Sequence, residues 1–431
     1  MIYFLSTLMI LSLGIFIFYK SYAFYEEKKD FNVINGVVED PGDLYFAYYV
    51  NNTITRDFPT KDSGLTLDTT KSSCTSGVTI SWDDAKWEAN LNYSNYQKNS
   101  TTRTKCTLYF KEKPTPTAAT ILNSLVSGAN KSSTDVYTVP NKTSDTCTYT
   151  LAYDGTSDNN LRYVGANPCN YVTFNGENAG WRIIGILNTP EGQRMKLIRT
   201  NSLGNYSWDN KASGTGSSTS EDGSNDWTDS TLKEVLNNGA YYNRTSGTCP
   251  YGQNGATISC DFTSNGLTEA AKNQIDTITW KLGGTANYTS PSNGWPSYWY
   301  TYERGTTVYT GRPTEWQGKV GLMYPSDYGY ATSGGESMNR ASCLAKELYN
   351  WSSVSYSDCK NNDWIYNSST HQWALAPYSS DSNGVFNVTR FGAVGYIFAY
   401  AQSAVRASVY LKSSITILSG EGTLENPYEI G

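Results

Sequence analysis

Imidazole chemistry in this chain would have to run through a single residue. His371, in "YNSSTHQWALAPY", is the only histidine among 431 residues. A Ser-His-Asp arrangement holds its base between a hydroxyl and a carboxylate. His371 stands where a polar turn gives way to the strand-like "QWALAP", so it reads as a turn residue and not as a base. Ser357 and Lys360 have the S-x-x-K spacing of Ser/Lys hydrolases. Such a short pattern arises by chance in a serine-rich chain, and Cys359 between them reads as a disulfide partner. Paired carboxylates could cleave a glycosidic bond. The densest acidic stretch is "SEDGSNDWTD", 220–229, whose Asp222, Asp226 and Asp229 could also offer oxygen ligands to calcium. The simpler expectation there is a solvated loop with Asp229 capping the helix that follows. No catalytic residue and no cofactor is expected.

Binding is better supplied than catalysis. "ANYTSPSNGWPSYWYTYERGTTVYTGRPTEW", 286–316, crowds Tyr288, Trp295, Tyr298, Trp299, Tyr300 and Trp316 into one segment. Ring faces stack on the C–H faces of sugars or on partner side chains, and phenol and indole donors fix orientation. Tyr, Ser, Gly and Asn are also favoured in antibody binding loops. These six residues are the expected ligand-binding set, with some of Trp295, Trp299 and Trp316 exposed. The competing expectation is that the rings alternate into a core from a hairpin.

Composition sets the frame for these residues. Net charge is −6 with no long basic run, which excludes nucleic acid as a natural partner. Charged residues are 17 %, while 35 Tyr and 12 Trp supply apolar area for cores, so disorder is not expected. No two of the eight cysteines form C-x-x-C, and one histidine cannot complete several Cys/His zinc sites. Their even number and modest gaps predict disulfides between sequence neighbours: Cys74 with Cys106, Cys147 with Cys169, Cys249 with Cys260, and Cys343 with Cys359.

The N-terminus points the same way. "MIYFLSTLMILSLGIFIFY" is nearly wholly apolar, and Ile2 to Tyr19 is just long enough to span hydrocarbon as a helix. Residues 1–23 are expected to be a signal anchor, or a signal peptide ending in the small-residue pattern Ser21-Tyr22-Ala23. Either places the rest outside the cytoplasm, anchored in the membrane or secreted.

The remaining chain divides by composition. Residues 30–113 read as a small β-sandwich, from "FNVINGVV", "DLYFAYYV", "LTLDTT", "VTISWDDAKWEANLNY" and "TKCTLYFKE", with a hairpin turn in "VNNTIT". Trp82, Trp87 and Leu91 are expected in its core. Residues 114–146 read as a linker stiffened by Pro114 and Pro116, with a short helix from Ala118 to Val126 capped by Thr117. Residues 147–431 read as an α+β domain. Its strands include "WRIIGIL", "MKLIRT", "QWALAP" and "AVRASVYLK", and helices are expected at 229–238, 268–278 and 337–349.

The ordered series "NYVTFNGENAGWRIIGIL", "KLIRTNSLGNYSWD", "WTDSTLKEVLNN", "LTEAAKNQID", "GKVGLMYPSDYGYA", "QWALAPYSS" and "AVRASVYLKSS" resembles an uncharacterised extracellular domain family of Gram-positive, often gut, bacteria. The resemblance covers about 160–418. It implies a fold similar to C-type lectins and to the formylglycine-generating enzyme. Ala407 and Ala376 depart from the family's usual proline and serine. The lectin calcium motifs are missing, and neighbour-paired cysteines would leave no redox pair for copper-thiol chemistry. The expected architecture is therefore an N-terminal apolar helix, an all-β sandwich and an α+β C-type-lectin-like domain. The expected role is non-catalytic binding or adhesion to an extracellular glycan or protein. A hydrolase using carboxylates or the Ser/Lys pair, and a structural subunit of a surface assembly, are the alternatives.

Overall fold

The computed structural model describes residues 44–61, 63–84, 86–92, 94–95, 104–113, 115–132, 135–211, 223–291 and 293–431. The apolar stretch 1–23, the expected strand at 31–38 and Asp222 lie outside the described residues. Among the described residues, no helix is long and apolar enough to cross a membrane. The structure is mostly β-sheet with few helices, in two compact units, Met1–Thr115 and Pro116–Gly431.

In the first unit, Leu44–Val50 pairs in parallel with Thr104–Glu112, which also pairs with Leu65–Leu67 and Ser73–Cys74. The expected hairpin turn is present. Asn51 and Asn52 both take positive φ, 48° and 66°, and Val50 faces Thr53 across a two-residue loop. Asparagine tolerates that left-handed region better than most residues, and this twist matches the strands it joins. A separate hairpin, Thr79–Asp83 with Glu88–Asn92, brings Ile80, Trp82 and Trp87 onto a core of Tyr48, Leu67, Leu108 and Phe110. Trp82 and Trp87 meet edge to face at 4.8 Å.

The second unit is built around a long hairpin, Glu177–Thr189 with Gly192–Arg199, at the middle of an 11-stranded sheet. A five-stranded sheet carries Gln372–Pro377 and Gly384–Val388 at its centre and Val394–Phe398 at one edge. All residues of the two central strands are buried, which explains why they read as apolar runs without alternation.

The segment expected as a linker belongs to this unit. Helix Ala118–Leu125 is capped by Thr117, whose side chain accepts from the Thr120 N–H, and it buries Ala118 and Leu122 in the main core. Tyr137–Thr138 then joins the large sheet beside Thr150–Tyr153. Proline and threonine at its start resemble a spacer, but an amphipathic turn of helix needs only two or three apolar residues to dock.

The other helices are shorter than their patterns predict. Thr231–Asn237 is capped by Ser230, which accepts from Lys233 N, so Asp229 does not cap it. Thr268 caps Glu269–Gln274 as expected, but Ile278 opens a strand, Ile278–Lys281. The 337–349 stretch breaks into the helix Arg340–Leu344 and a 3-10 turn, Leu348–Ser352.

All four expected disulfides are present, and the described residues contain no free cysteine. They fit an oxidising, extracytoplasmic environment. Cys147–Cys169 closes 22 residues with both partners buried. The double variant Cys147→Ala/Cys169→Ala is expected to lose about 3 kcal/mol by freeing the unfolded chain. Urea midpoints of the variant and the native protein measure it.

Candidate functional site

The aromatic segment folds into a helix, Pro296–Arg304, which the hairpin expectation does not contain. Proline at the first helical position has no N–H to lose and a φ suited to the turn. Helical periodicity then sorts the rings. Trp299 and Tyr300 turn inward at 0 % and 3 % exposure, while Tyr298 stays 38 % exposed. The expectation that Trp299 and Tyr300 meet ligand is therefore corrected. Trp299 lies edge-on to Phe386 at 4.7 Å, and the Tyr300 hydroxyl donates to Asp158 and accepts from Asn160 Nδ2. Trp316 goes elsewhere. It is half-buried on strand Glu315–Gly318 and meets Trp227 edge to face at 6.0 Å.

Tyr288 is half-buried against the main core and acquires neighbours that no local spacing announces. Its ring meets Tyr349 at 5.5 Å, Tyr396 at 5.9 Å and Tyr378 at 6.2 Å, all edge to face. Tyr378 and Tyr396 lie parallel, with centroids 4.0 Å apart. Tyr349 comes from the 3-10 turn Leu348–Ser352 and is 44 % exposed; Tyr396 comes from the edge strand Val394–Phe398. Beneath them, Phe386 contacts Tyr288, Tyr378, Tyr396 and Trp299. Trp295 and Tyr298 meet each other at 6.0 Å, and the Trp295 indole donates to Glu347. The buried rings thus act as a floor that fixes the outer ones.

This face offers donors as well as ring surface. The hydroxyls of Tyr288, Tyr298 and Tyr349 have no hydrogen-bond partner among the described residues. Burial pushes the Tyr288 phenol up to about 12, so it stays protonated and donates at neutral pH.

The catalytic candidates do not assemble. The His371 imidazole makes no hydrogen bond among the described residues, and its Nδ1 is buried without a partner. Burial first, and the nearby Arg390 second, hold its pKa below the usual value. Lys360 donates to the carbonyls of Ser352 and Phe391, and Ser357 sits one helical turn away on Ser357–Asn361. Asp226 accepts from the N–H and hydroxyl of Thr228, closing a 3-10 turn. Asp229 faces Lys211 at 3.8 Å. Among the described residues, no group of three or more His, Cys, Asp or Glu is placed to hold a metal ion.

Sequence patterns missed a buried charged cluster behind the helix Pro296–Arg304. Asp327 accepts from Arg162 at 2.8 Å and Lys196 at 2.6 Å, and Arg162 also bonds Asp154 at 2.9 Å. Glu303, fully buried, accepts from the N–H and hydroxyl of Ser326 and from Arg304. Burial outweighs those donors and pushes the Glu303 carboxyl up to about 7 from 4.5. Between these values the folded protein holds a proton that the unfolded chain has lost. Stability from this group is therefore largest below pH 4.5, falls as pH rises to about 7 and is flat above. The slope is at most about 1.4 kcal/mol per pH unit. Glu303→Gln is expected to flatten it, read as the difference in urea midpoint between variant and native protein at pH 5 and pH 8.

No family model, curated protein or solved structure matches this chain.

Proposed function

We propose that this is an extracytoplasmic binding protein whose second unit holds glycan chains, without catalysis, on the tyrosine face of Tyr288, Tyr349, Tyr378 and Tyr396. The observation that carries this reading is the joined ring surface, with Tyr378 and Tyr396 stacked at 4.0 Å and their neighbours edge-on. Pre-packed rings lose little conformational freedom when a ligand lands on them. Outward phenols satisfy sugar hydroxyls, and ring faces cover sugar C–H groups. Four disulfides support a site that works outside the cytoplasm. The sequence resemblance to an extracellular family of C-type-lectin-like fold motivates the same assignment, and residues 1–23, read as a signal anchor or a signal peptide, would deliver the protein outside the cytoplasm for adhesion.

A glycan array probed with the full chain tests it. Tyr349→Ala is expected to weaken binding to the glycans that score by about three- to tenfold. Tyr251→Ala, which removes another exposed ring (42 %) outside this cluster, is expected to leave binding unchanged. An array without any binder, or equal binding by the Tyr349 variant, removes the face from the account.

A further inference from the structure

The second unit also contains a cleft of about 280 Å³, lined by Asp158, Asn188, Lys281, Arg304, Tyr324 and Tyr410 among others. It shares no residue with the tyrosine face. Its polar groups divide into those already satisfied and those left over. The Tyr324 hydroxyl donates to Lys281 O and accepts from Lys281 N. The Lys281 ammonium is paired with Glu315. Both are committed.

Two donors are not. Tyr410 is 3 % exposed, and its hydroxyl has no hydrogen-bond partner among the described residues. Tyr410 lines the cleft, so its hydroxyl is free to donate to a ligand there. Arg304 is clamped in place. Its guanidinium carbon lies over the Tyr300 ring at 3.3 Å, and Nη1 donates to Tyr300 O and Glu303. Nε lies 3.9 Å from Asp158 Oδ2, and Nη2 has no hydrogen bond among the described residues, so one edge of this paired cation is left to the cleft it lines. Two acceptors complete the set. Asn188 uses its amide N–H₂ on Asp158 O, leaving its carbonyl oxygen. Asp158 takes the Tyr300 hydroxyl on Oδ2, leaving Oδ1.

We propose that this cleft binds a small carboxylate that carries a hydrogen-bond donor beside it, the carboxylate on Arg304 Nη2 and the Tyr410 hydroxyl, the donor on Asp158 and Asn188. The volume suits one sugar-acid unit or one amino acid. Both present this chemistry, the first with a hydroxyl and the second with an ammonium. The site stands independently of the tyrosine face.

Isothermal titration of the full chain with glucuronate, with alanine and with glucose tests it. Binding of glucuronate or alanine, with glucose at least about tenfold weaker, is the expected result; which of the two binds names the source. Tyr410→Phe keeps the ring against Trp280, which it meets at 4.9 Å, and is expected to weaken binding about fivefold with the urea midpoint unchanged. Arg304→Gln is expected to weaken it at least about tenfold, as loss of a charged donor does. Tyr349→Ala is expected to change nothing here, so failure of the glycan face and failure of this cleft are read separately. Equal binding of glucose, no binding of either acid, or indifference to Tyr410→Phe overturns the proposal.

Discussion

Trp299→Ala is expected to destabilise the second unit by about 3–5 kcal/mol, the usual loss when a buried large aromatic is truncated. Trp299 is fully buried, and its indole N–H has no hydrogen-bond partner among the described residues. Its contribution is therefore apolar packing, chiefly against Phe386 beneath the tyrosine face and against Tyr302. The hole would fall under that face, so binding would weaken through loss of its floor. Urea unfolding separates this from a ligand contact: a midpoint equal to the native protein's would place Trp299 outside the core. Trp299→Phe keeps most of the volume and is expected to lose less than half as much.

Arg162→Met is expected to be about as severe, near 3–5 kcal/mol, for an electrostatic reason. Arg162 is 1 % exposed and bridges Asp154 and Asp327, which are buried as well. Methionine fills similar volume but leaves Asp154 without its cation and Asp327 with Lys196 alone. Removing one member of a buried ionic group strands the others, and that penalty exceeds what the group contributes when whole. Arg162→Lys retains the charge but cannot reach both acids in a fork, so an intermediate loss is expected. A loss under about 1 kcal/mol for Arg162→Met would show that the cluster relaxes around the vacancy.

The two variants also mark how far the sequence could be read. The disulfides were legible because each joins segments close in the chain, as Cys249 and Cys260 do across the hairpin Ser246–Pro250 with Thr257–Asp261. The Asn51-Asn52 turn was legible because its chemistry is local. The aromatic segment was legible only as a concentration of rings. Its phase was available, since Trp295, Tyr298 and Tyr302 fall at helical spacing and Pro296 marks the first turn, but residues rich in tyrosine suit strands equally well. Tyr349, Tyr378 and Tyr396 could not be read as partners of Tyr288, because only the tertiary fold brings them together. Arg162, Lys196 and Asp327 were hidden for the same reason. Arg162 and Lys196 lie on strands and Asp327 on the helix Pro325–Tyr330, far apart in the chain until the fold brings them together.

One feature of the second unit bears on how it would carry load. Thr416 donates its hydroxyl to Pro116 O at 2.6 Å and its N–H to Gly431 O at 2.9 Å. The first and last residues of this unit are therefore neighbours, joined through one threonine. Tension applied between them would fall first on these few bonds and on the hairpin Ile417–Ser419 with Tyr428–Ile430, which joins the large sheet at its margin through Tyr171–Phe174. Peeling would begin at that seam, while the tyrosine face and the carboxylate cleft kept their shape.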